Sequence, residues 1–470
     1  MNSSAKAGTR ILSVLDENSF VEIGARVTAR ITDFNQNPNQ MPSDGVITGY
    51  GVIDGSLVYI YSQDAAVLGG SVGEMHAKKI AALYDLAIQT GAPVIGLIDS
   101  AGLRLQEGTD ALNAMAMIYA KQAEASGVIP QITAIFGNCG GGLSLFPALT
   151  DFTFMADDAK LFVNAPNAIA GNFEDKNDTA GAKVRAAAGN VDVTGSEAEV
   201  LEGIRSLVAM LPSNNEDSAF EDCSDDLNRA CEAAEAGIGD PSVFLADIAD
   251  DGVFFEIKKD FAKEMAAGLI RLNGNTVGVV ANRSVSYDEE GKAAEKFDTV
   301  LTSGGCDKAA KFVNFCDAFN IPVVSFTNVN GFAATAAEET RVADAAARLT
   351  YAFANASVPK VNVITGTAFG SAYTVMNSRA AGADITIALP NARIGMMDAK
   401  LAAKIVAKDG EDTAEVAKKY DALQNSIDSA AAHGYVDEIV EPADLRKYLI
   451  GALEVLFTKE TVIDKKHGTV

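Results

Sequence analysis

The sequence predicts an α/β protein that is a tandem duplication of one strand–helix unit. Three observations support this fold class. Short apolar strands alternate with amphipathic helices, several strands run directly into glycine-rich turns, and the turn residues recur at a constant spacing. Repeated strand–helix–strand units favour largely parallel sheets with right-handed crossovers. Ligands are then expected at the carboxyl ends of the strands.

The constant spacing is the strongest sign of duplication. Five pairs of turn and strand-entry residues are each 229 positions apart: Pro93 and Pro322, Gly102 and Gly331, Pro130 and Pro359, Gly137 and Gly366, Gly141 and Gly370. Similar strand-entry chemistry explains one such pair, but not five pairs in two separate blocks. We therefore expect two domains, residues 1–240 and 241–470.

Composition limits the function classes. With 470 residues the chain exceeds one ordinary core, and its net charge of −25 argues against nucleic-acid or anionic-membrane partners. The sequence contains neither a secretory apolar region nor a long apolar span, so a cytoplasmic location is expected. Its five cysteines form no C-x-x-C pair and its three histidines are scattered, so we expect no metal site.

The first half is predicted to contain these elements in order: a hairpin around Asp54-Gly55, a helix over 74–89, a strand that breaks at 99–102, a helix over about 109–126, a strand over 132–136, and strands over 151–157 and 160–166. The strand over 132–136 enters a glycine cluster at Gly137 and 140–142, followed by an apolar helix start. Glycines let backbone N–H groups approach a ligand closely, so the turn suits an anion or a developing oxyanion. The alternative is a tight turn without a ligand.

The second half repeats this pattern after an acidic segment at 211–229, which we interpret as a linker. A hairpin is predicted around Asn273-Gly274, a strand enters a glycine turn within 321–332, and 358–376 reads as strand, glycine turn and helix.

The motif blocks resemble the carboxyltransferase subunits of biotin-dependent acyl-CoA carboxylases and the related acyl-CoA decarboxylases, of the type of the methylmalonyl-CoA decarboxylase alpha subunit. The blocks that carry the resemblance are 44–55, 62–80, 99–108, 126–152, 306–326, 356–376, 382–390 and 433–442. The resemblance implies that each half adopts a crotonase-like ββα-superhelix fold. It also implies dimers that assemble into hexamers, with each active site between the N-terminal half of one subunit and the C-terminal half of another.

The resemblance further implies the reaction and its partners. A carboxyl group moves between biotin, carried on a separate biotin carboxyl carrier protein, and the α-carbon of an acyl-CoA such as propionyl-CoA or acetyl-CoA. A biotin carboxylase or a membrane decarboxylase subunit would complete the system. The N-terminal half would bind acyl-CoA and the C-terminal half biotin. Because biotin can accept the substrate proton, the chemistry requires no side-chain base in the glycine turns.

The resemblance assigns roles to residues of both turns. Gly141 and Gly142 match the donors that bind the thioester oxygen, and Ser371 and Ala372 match those for biotin. The remaining cofactor-binding candidates are Gly69, Gly70, Ser71, Arg104, Gly370 and Thr374. The loop at 69–71 resembles the family's acyl-CoA-proximal loop, with a plain turn as the alternative. Arg104 is expected either to contact coenzyme A or to fix its own turn.

The second half departs from the family pattern. It has Gly370-Ser371-Ala372 where Gly-Gly-Ala is usual, AATAAEE at 333–339 where Leu-Pro-Gly is usual, and GMMDAKLAAKIV at 395–406 in place of a glycine-rich run. Two alternatives therefore stay open. One is a biotin-independent crotonase-fold acyl-CoA hydratase or decarboxylase, and the other is a non-catalytic scaffold subunit.

Overall fold

The computed structural model describes residues 6–34, 43–174, 176–288 and 290–459. The chain divides into two compact units, the first ending at Ala219 and the second beginning at Phe220. Residues 220–240, expected in the first domain, group with the second unit. Glu221 donates its N–H to the carbonyl of Gly274, and Cys231 donates to that of Ala443.

The first unit is one mixed sheet with helices. Its strands are β1 (Val21–Ile23), β2 (Val46–Ile53), β3 (Ser56–Gln63), β4 (Val94–Ser100), β5 (Gln131–Gly140), β6 (Phe152–Ala156), β7 (Lys160–Phe162) and β8 (Val193–Gly195). Its helices are α1 (Lys6–Val14), α2 (Glu74–Thr90), α3 (Thr109–Ala125), α4 (Phe146–Leu149), α5 (Ala182–Ala187) and α6 (Glu197–Met210). The strand order is β1-β2-β3-β4-β5-β6-β8, with β7 paired to β5.

The second unit repeats this plan. Its strands are β9 (Phe254–Ile257), β10 (Met265–Leu272), β11 (Asn275–Asn282), β12 (Val285–Tyr287), β13 (Ala293–Lys296), β14 (Val300–Leu301), β15 (Val323–Val329), β16 (Gly331–Phe332), β17 (Lys360–Phe369), β18 (Ile385–Ala388), β19 (Arg393–Gly395) and β20 (Glu438–Ile439). Its helices are α7 (Ala234–Gly237), α8 (Pro241–Ile248), α9 (Ser303–Ala318), α10 (Ala336–Glu339), α11 (Val342–Asn355), α12 (Gly370–Val375), α13 (Ala399–Val406), α14 (Thr413–Tyr420), α15 (Ile427–Ala432) and α16 (Leu445–Val455).

The two main sheets have matching topologies. In the second unit the order is β9-β10-β11-β15-β17-β18-β20, with β19 paired to β17. In each sheet the first three strands are antiparallel and the later strands pair in parallel. The interior strands β4 and β5 are buried almost throughout, as expected for parallel strands covered on both faces. The prediction of a duplicated α/β unit is confirmed.

Both predicted hairpins are present. Asp54 (φ 49°) and Gly55 (φ 81°) connect β2 to β3, and Asn273 (φ 51°) and Gly274 (φ 77°) connect β10 to β11. Two successive left-handed residues form the turn whose twist matches that of the flanking strands. The two glycine-rich turns do not belong to these hairpins; they follow the parallel strands β5 and β17.

Candidate active site

The first glycine turn follows the end of β5. Gly141 is left-handed (φ 63°) and begins a 3-10 turn, Gly141–Leu145, that leads into α4. Its first N–H groups have no partner within the turn itself. A Cβ built on Gly141 would meet nothing within 4 Å, so the space beside this residue is open. The predicted thioester-oxygen donors Gly141 and Gly142 therefore lie together at the carboxyl end of a parallel strand.

Neighbouring side chains fill the space that glycines leave on β5. A Cβ on Gly137 would lie 2.0 Å from Oδ1 of Asp99, and one on Gly140 would lie 2.6 Å from the Phe162 ring. Asp99 is held by Arg10, whose Nη1 donates to Oδ2 at 3.1 Å. The strand thus needs glycine at both positions so that these side chains can pack against its backbone.

The Tyr119 side chain supports the turn from α3. Its hydroxyl donates to the Gly142 carbonyl at 2.6 Å, and a Cβ on Gly142 would lie 2.9 Å from that hydroxyl. Burial raises the pKa of Tyr119 above its usual range. Cys139 is fully buried, its pKa is raised to about 12 by burial, and its thiol donates to the Leu143 carbonyl at 3.4 Å. Both groups are therefore protonated packing partners of the turn.

The predicted acyl-CoA-proximal loop has an unusual backbone. Leu68, Gly69 and Gly70 have φ of 49°, 65° and 65°, three successive left-handed residues. The loop packs on the segment after β4: Ala101 donates its N–H to the Gly69 carbonyl at 2.8 Å, and a Cβ on Gly70 would lie 2.2 Å from the Asp99 carbonyl. Because Asp99 also contacts Gly137, the loop and the first glycine turn flank one segment.

Arg104 is buried, with 1% of its surface exposed. Its guanidinium forms ion pairs with Asp44 and, at 2.9 Å, with Glu107, and it donates to the Ser71 carbonyl at 2.6 Å. These internal contacts favour the alternative interpretation, that Arg104 fixes its turn, over a direct contact with coenzyme A. The Asp44 and Ser71 contacts span 60 and 33 residues of sequence, so no local pattern indicated them.

The second glycine turn has the same local form as the first. Gly370 is left-handed (φ 61°) and opens α12, so Ser371 and Ala372 occupy the first helical turn, whose N–H groups lack intrahelical partners. Ser371 is not left-handed and its side chain is exposed, so the serine found in place of glycine does not distort the backbone. Thr374 donates its hydroxyl to the Ser371 carbonyl at 2.7 Å. A Cβ on Gly370 would lie 3.2 Å from the Met396 carbonyl.

A cavity of about 360 Å³ lies beside this second turn. Tyr373 and Thr374 of α12 line it, together with Arg379, His433 and Tyr435. The His433 and Tyr435 rings stack with centroids 6.0 Å apart, and burial raises the pKa of Tyr373 to about 12. Among the residues that the structure describes, no group of three or more His, Cys, Asp or Glu side chains is placed to hold a metal ion.

Sequence reasoning missed the residues that support both turns. Asn328 does in the second unit what Asp99 does in the first: its Oδ1 would lie 2.5 Å from a Cβ on Gly366 and accepts from the Thr367 N–H at 3.1 Å. Asp99 and Asn328 are 229 residues apart, so the repeat spacing already contained this signal. Tyr119 carried none, because its contact with Gly142 depends on how α3 packs.

Comparison with known proteins identifies close relatives over nearly the whole chain. A family model described as the carboxyl transferase domain matches residues 5–470. The carboxyltransferase subunit of propionyl-CoA carboxylase from Haloferax mediterranei is 38% identical over 488 residues, covering 99% of this chain and 93% of that protein. The alpha subunit of methylmalonyl-CoA decarboxylase from Veillonella parvula is 37% identical over 480 residues, covering 99% and 92%.

Comparison with solved structures leads to the same group of proteins. Transcarboxylase 12S, a hexamer solved with hydrolysed methylmalonyl-CoA bound, superimposes with a TM-score of 0.90 at 35% identity, covering 98% of this chain and 92% of that chain. A single-chain long-chain acyl-CoA carboxylase shares the fold, with a TM-score of 0.78 at 21% identity over 95% of this chain and 45% of that one. No helix among the described residues is long and apolar enough to cross a membrane.

These relatives confirm the crotonase-like fold and the enzyme class predicted from the motifs. The cofactor assignment, biotin on a partner protein with an acyl-CoA as substrate, is confirmed at the level of the family. With a family model over residues 5–470 and relatives near 38% identity across 99% of its length, the chain belongs to the carboxyl transferase family.

Proposed function

We propose that this chain moves a carboxyl group between biotin on a separate carrier protein and the α-carbon of propionyl-CoA or methylmalonyl-CoA. One observation carries the site assignment: each unit ends a parallel strand in a left-handed glycine, Gly141 or Gly370, that exposes backbone donors. Carboxyl transfer develops negative charge on two oxygens, the thioester oxygen and the biotin ureido oxygen. One donor turn for each matches the two charges.

The first turn is assigned to the acyl-CoA. The open space beside Gly141 admits the thioester carbonyl, and the N–H groups of Gly141 and Gly142 stabilise the enolate oxygen as the α-carbon becomes nucleophilic. The loop at Gly69, Gly70 and Ser71 borders the same segment and forms a second wall. Substrates named for two of the relatives, propionyl-CoA and methylmalonyl-CoA, support a three-carbon acyl chain.

The second turn fits the biotin ring. Ser371 and Ala372 would hold the ureido oxygen, and the cavity lined by Tyr373 and His433 gives the ring and its linker space. When bound, biotin would supply the carboxyl group and, after its release, a ureido nitrogen able to take the α-proton, so the residues of the turns need only orient the two groups. Cys139 and Tyr119 are unsuited to act as the base at the first turn, because burial raises the pKa of each.

The partners follow from the reaction. A biotin carboxyl carrier protein must deliver the cofactor, and either a biotin carboxylase or a membrane decarboxylase subunit sets the direction of transfer. The transcarboxylase 12S hexamer supports a homo-oligomer here, dimer to hexamer, that brings the first turn of one subunit to the second turn of another. In this proposal, the domain of residues 1–240 binds the acyl-CoA and the domain of residues 241–470 binds biotin.

The test is exchange of labelled carboxyl between methylmalonyl-CoA and biotin. We expect transfer by the wild type, with malonyl-CoA used about tenfold less well because it lacks the methyl group of methylmalonyl-CoA. Ser371→Pro removes one backbone donor while keeping a helical φ, and should lower transfer about 100- to 1,000-fold.

Ser371→Ala is the matched control, because it keeps the N–H and should stay within about threefold of the wild type. Acyl-CoA affinity should be the same in both variants, since the substitution lies in the other unit. Binding of methylmalonyl-CoA without any carboxyl transfer by the wild type would instead support the biotin-independent alternative. Loss of binding as well would support a scaffold subunit.

A further inference from the structure

The left-handed loop Leu68–Gly70 needs an outside constraint to keep its shape. A left-handed backbone strains an L-residue such as Leu68, and such strain persists only where surrounding contacts determine it. The side chain of Arg104 supplies contacts at the end of this loop. Its Nη2 donates to the Ser71 carbonyl at 2.6 Å and its Nε to the Ser71 hydroxyl at 3.3 Å.

Arg104 also ties the loop to the start of α2. Glu107, its ion-pair partner, accepts the Glu74 N–H at 2.6 Å. Gly73 packs directly against the Arg104–Glu107 ion pair, since a Cβ on Gly73 would come within 2.4 Å of Arg104 Nη1. Asp44, the other partner, sits in a second left-handed turn in which Ser43, Asp44 and Gly45 have φ of 55°, 50° and 70°. Two strained turns therefore share one buried guanidinium.

The second unit shows that the turn itself forms without an arginine. Ala333 lies 229 residues after Arg104, and its N–H donates to the Leu301 carbonyl at 2.9 Å, as Arg104 N–H does to Val72 at 2.9 Å. The helix start is capped there too, since Glu338 accepts the Ser303 N–H at 2.5 Å. The corresponding loop residues, Phe297 to Thr299, are not left-handed. The unit with the left-handed loop has the arginine, and the unit without that loop forms the same turn with an alanine.

Burying an ion cluster is a poor way to gain stability alone, because desolvation offsets most of the attraction. Arg104, Asp44 and Glu107 all have fully buried side chains. We propose that Arg104 is a positioning residue that holds the loop Leu68–Ser71 against the segment carrying Asp99, and so sets the geometry of the acyl-thioester site. This inference rests on the function proposed for the first turn.

Arg104→Lys isolates the positioning contact. Lysine keeps the charge beside Asp44 and Glu107 but has no planar fork with which to reach the Ser71 carbonyl at the same time. Arg446→Lys is the matched control, because Arg446 is equally buried and pairs with Asp250 at 2.6 Å in the second unit. Both variants lose similar internal contacts, so equal losses of melting temperature are expected.

Amide hydrogen exchange of the full-length protein is the first measurement. In Arg104→Lys the peptide covering 64–75 should exchange at least about tenfold faster, while the peptide covering 294–304 should not change. Arg446→Lys should leave the 64–75 peptide unchanged. Unaltered exchange at 64–75 in Arg104→Lys would overturn the proposal, whether or not the wild type shows carboxyl transfer.

The second measurement compares two ligands, propionyl-CoA and its thioether analogue without the carbonyl oxygen. Arg104→Lys should weaken propionyl-CoA binding about tenfold and change thioether binding by less than about twofold, because only the thioester uses the carbonyl donors. Equal weakening of both ligands would show a general packing role and overturn the positioning role. A wild type that transfers no carboxyl group refutes the proposed function separately, since the exchange result does not depend on activity.

Discussion

The two units carry the same scaffold around their glycine turns but differ in charge. In both, a side chain at the end of one strand packs against a glycine of the next, Asp99 on Gly137 and Asn328 on Gly366. Only the first of these side chains is a carboxylate, and it pairs with Arg10. Duplication therefore kept the contact that shapes the turn, while the ionic surroundings diverged.

A buried lysine shows how much of the scaffold was retained. Lys79 and Lys308 are 229 residues apart on α2 and α9, and burial lowers the pKa of each to about 8. Each caps backbone carbonyls of the segment before the hairpin: Lys79 donates to Ser43 at 3.0 Å and Lys308 to Lys258 at 2.8 Å. A lysine with these contacts in both units serves the fold, which explains why such a residue does not mark a ligand site.

The turns themselves differ in the space they leave. A Cβ on Gly141 would meet nothing within 4 Å, whereas one on Gly370 would lie 3.2 Å from the Met396 carbonyl. The second turn instead has the cavity that Tyr373 and His433 line. An open first turn and a second turn beside a cavity suit two different oxyanions, one on a thioester and one on a ring.

Among the tests of this comparison between the turns, Gly142→Ala should have the largest effect. Its Cβ would lie 2.9 Å from the Tyr119 hydroxyl, which donates to the Gly142 carbonyl, so this contact and the peptide that it holds are disturbed, and carboxyl transfer should fall about 100-fold. Adding Tyr119→Phe removes the hydroxyl and should restore transfer to within about tenfold of the wild type. Steady-state exchange of labelled carboxyl is the measurement. Equal activity of Gly142→Ala and the wild type would show that this N–H does not act on the substrate.

The sequence predicted well those features that depend on neighbouring residues or on the repeat. Asp54-Gly55 and Asn273-Gly274 specify their hairpins locally, and the 229-residue spacing pairs Gly141 with Gly370. The burial of Arg104 depends on Asp44, 60 residues away, and so escaped prediction. The grouping of residues 220–240 with the second unit has the same cause, because their contacts lie on distant parts of that unit.

A buried histidine in the first unit predicts a response to acid that its counterpart position in the second unit cannot give. His76 is fully buried, its Nδ1 donates to the Asp44 carbonyl at 2.9 Å, and its Nε2 lies 3.2 Å from Gln63 Nε2, a donor that excludes a second proton. Burial, with Arg104 nearby, lowers its pKa to about 3. The second unit has Gly305 at this position, so only the first unit has this acid sensitivity.

The direction of this pH dependence follows because the pKa of His76 in the folded state lies below its unfolded value of about 6.5. His76 contributes stability above pH 6.5 that is lost as the pH falls towards 3, about 2 kcal/mol between pH 7 and pH 5. His76→Gln keeps a donor for Asp44 but does not titrate. The difference in unfolding free energy between wild type and variant should therefore shrink on acidification; a constant difference would contradict the lowered pKa of His76.

The smallest effect concerns two carboxylates at the base of the sheets. Asp151 accepts the Gln131 N–H at 2.8 Å, and Asp384 accepts the Lys360 N–H at 2.8 Å and also pairs with Lys459 at 2.8 Å. Burial, with Asp192 nearby, raises the pKa of Asp151 to about 7. Its folded-state pKa is raised, so its contribution is complete below pH 4 and is lost as the pH rises through 7.

Asp151→Asn keeps the acceptor and removes the titration. Relative to this variant, the wild type should lose about 1 kcal/mol of stability between pH 5 and pH 8, a value reduced because the side chain is only half-buried. Denaturant unfolding at several pH values measures this difference. Equal pH dependence of the wild type and Asp151→Asn would contradict the raised pKa of Asp151.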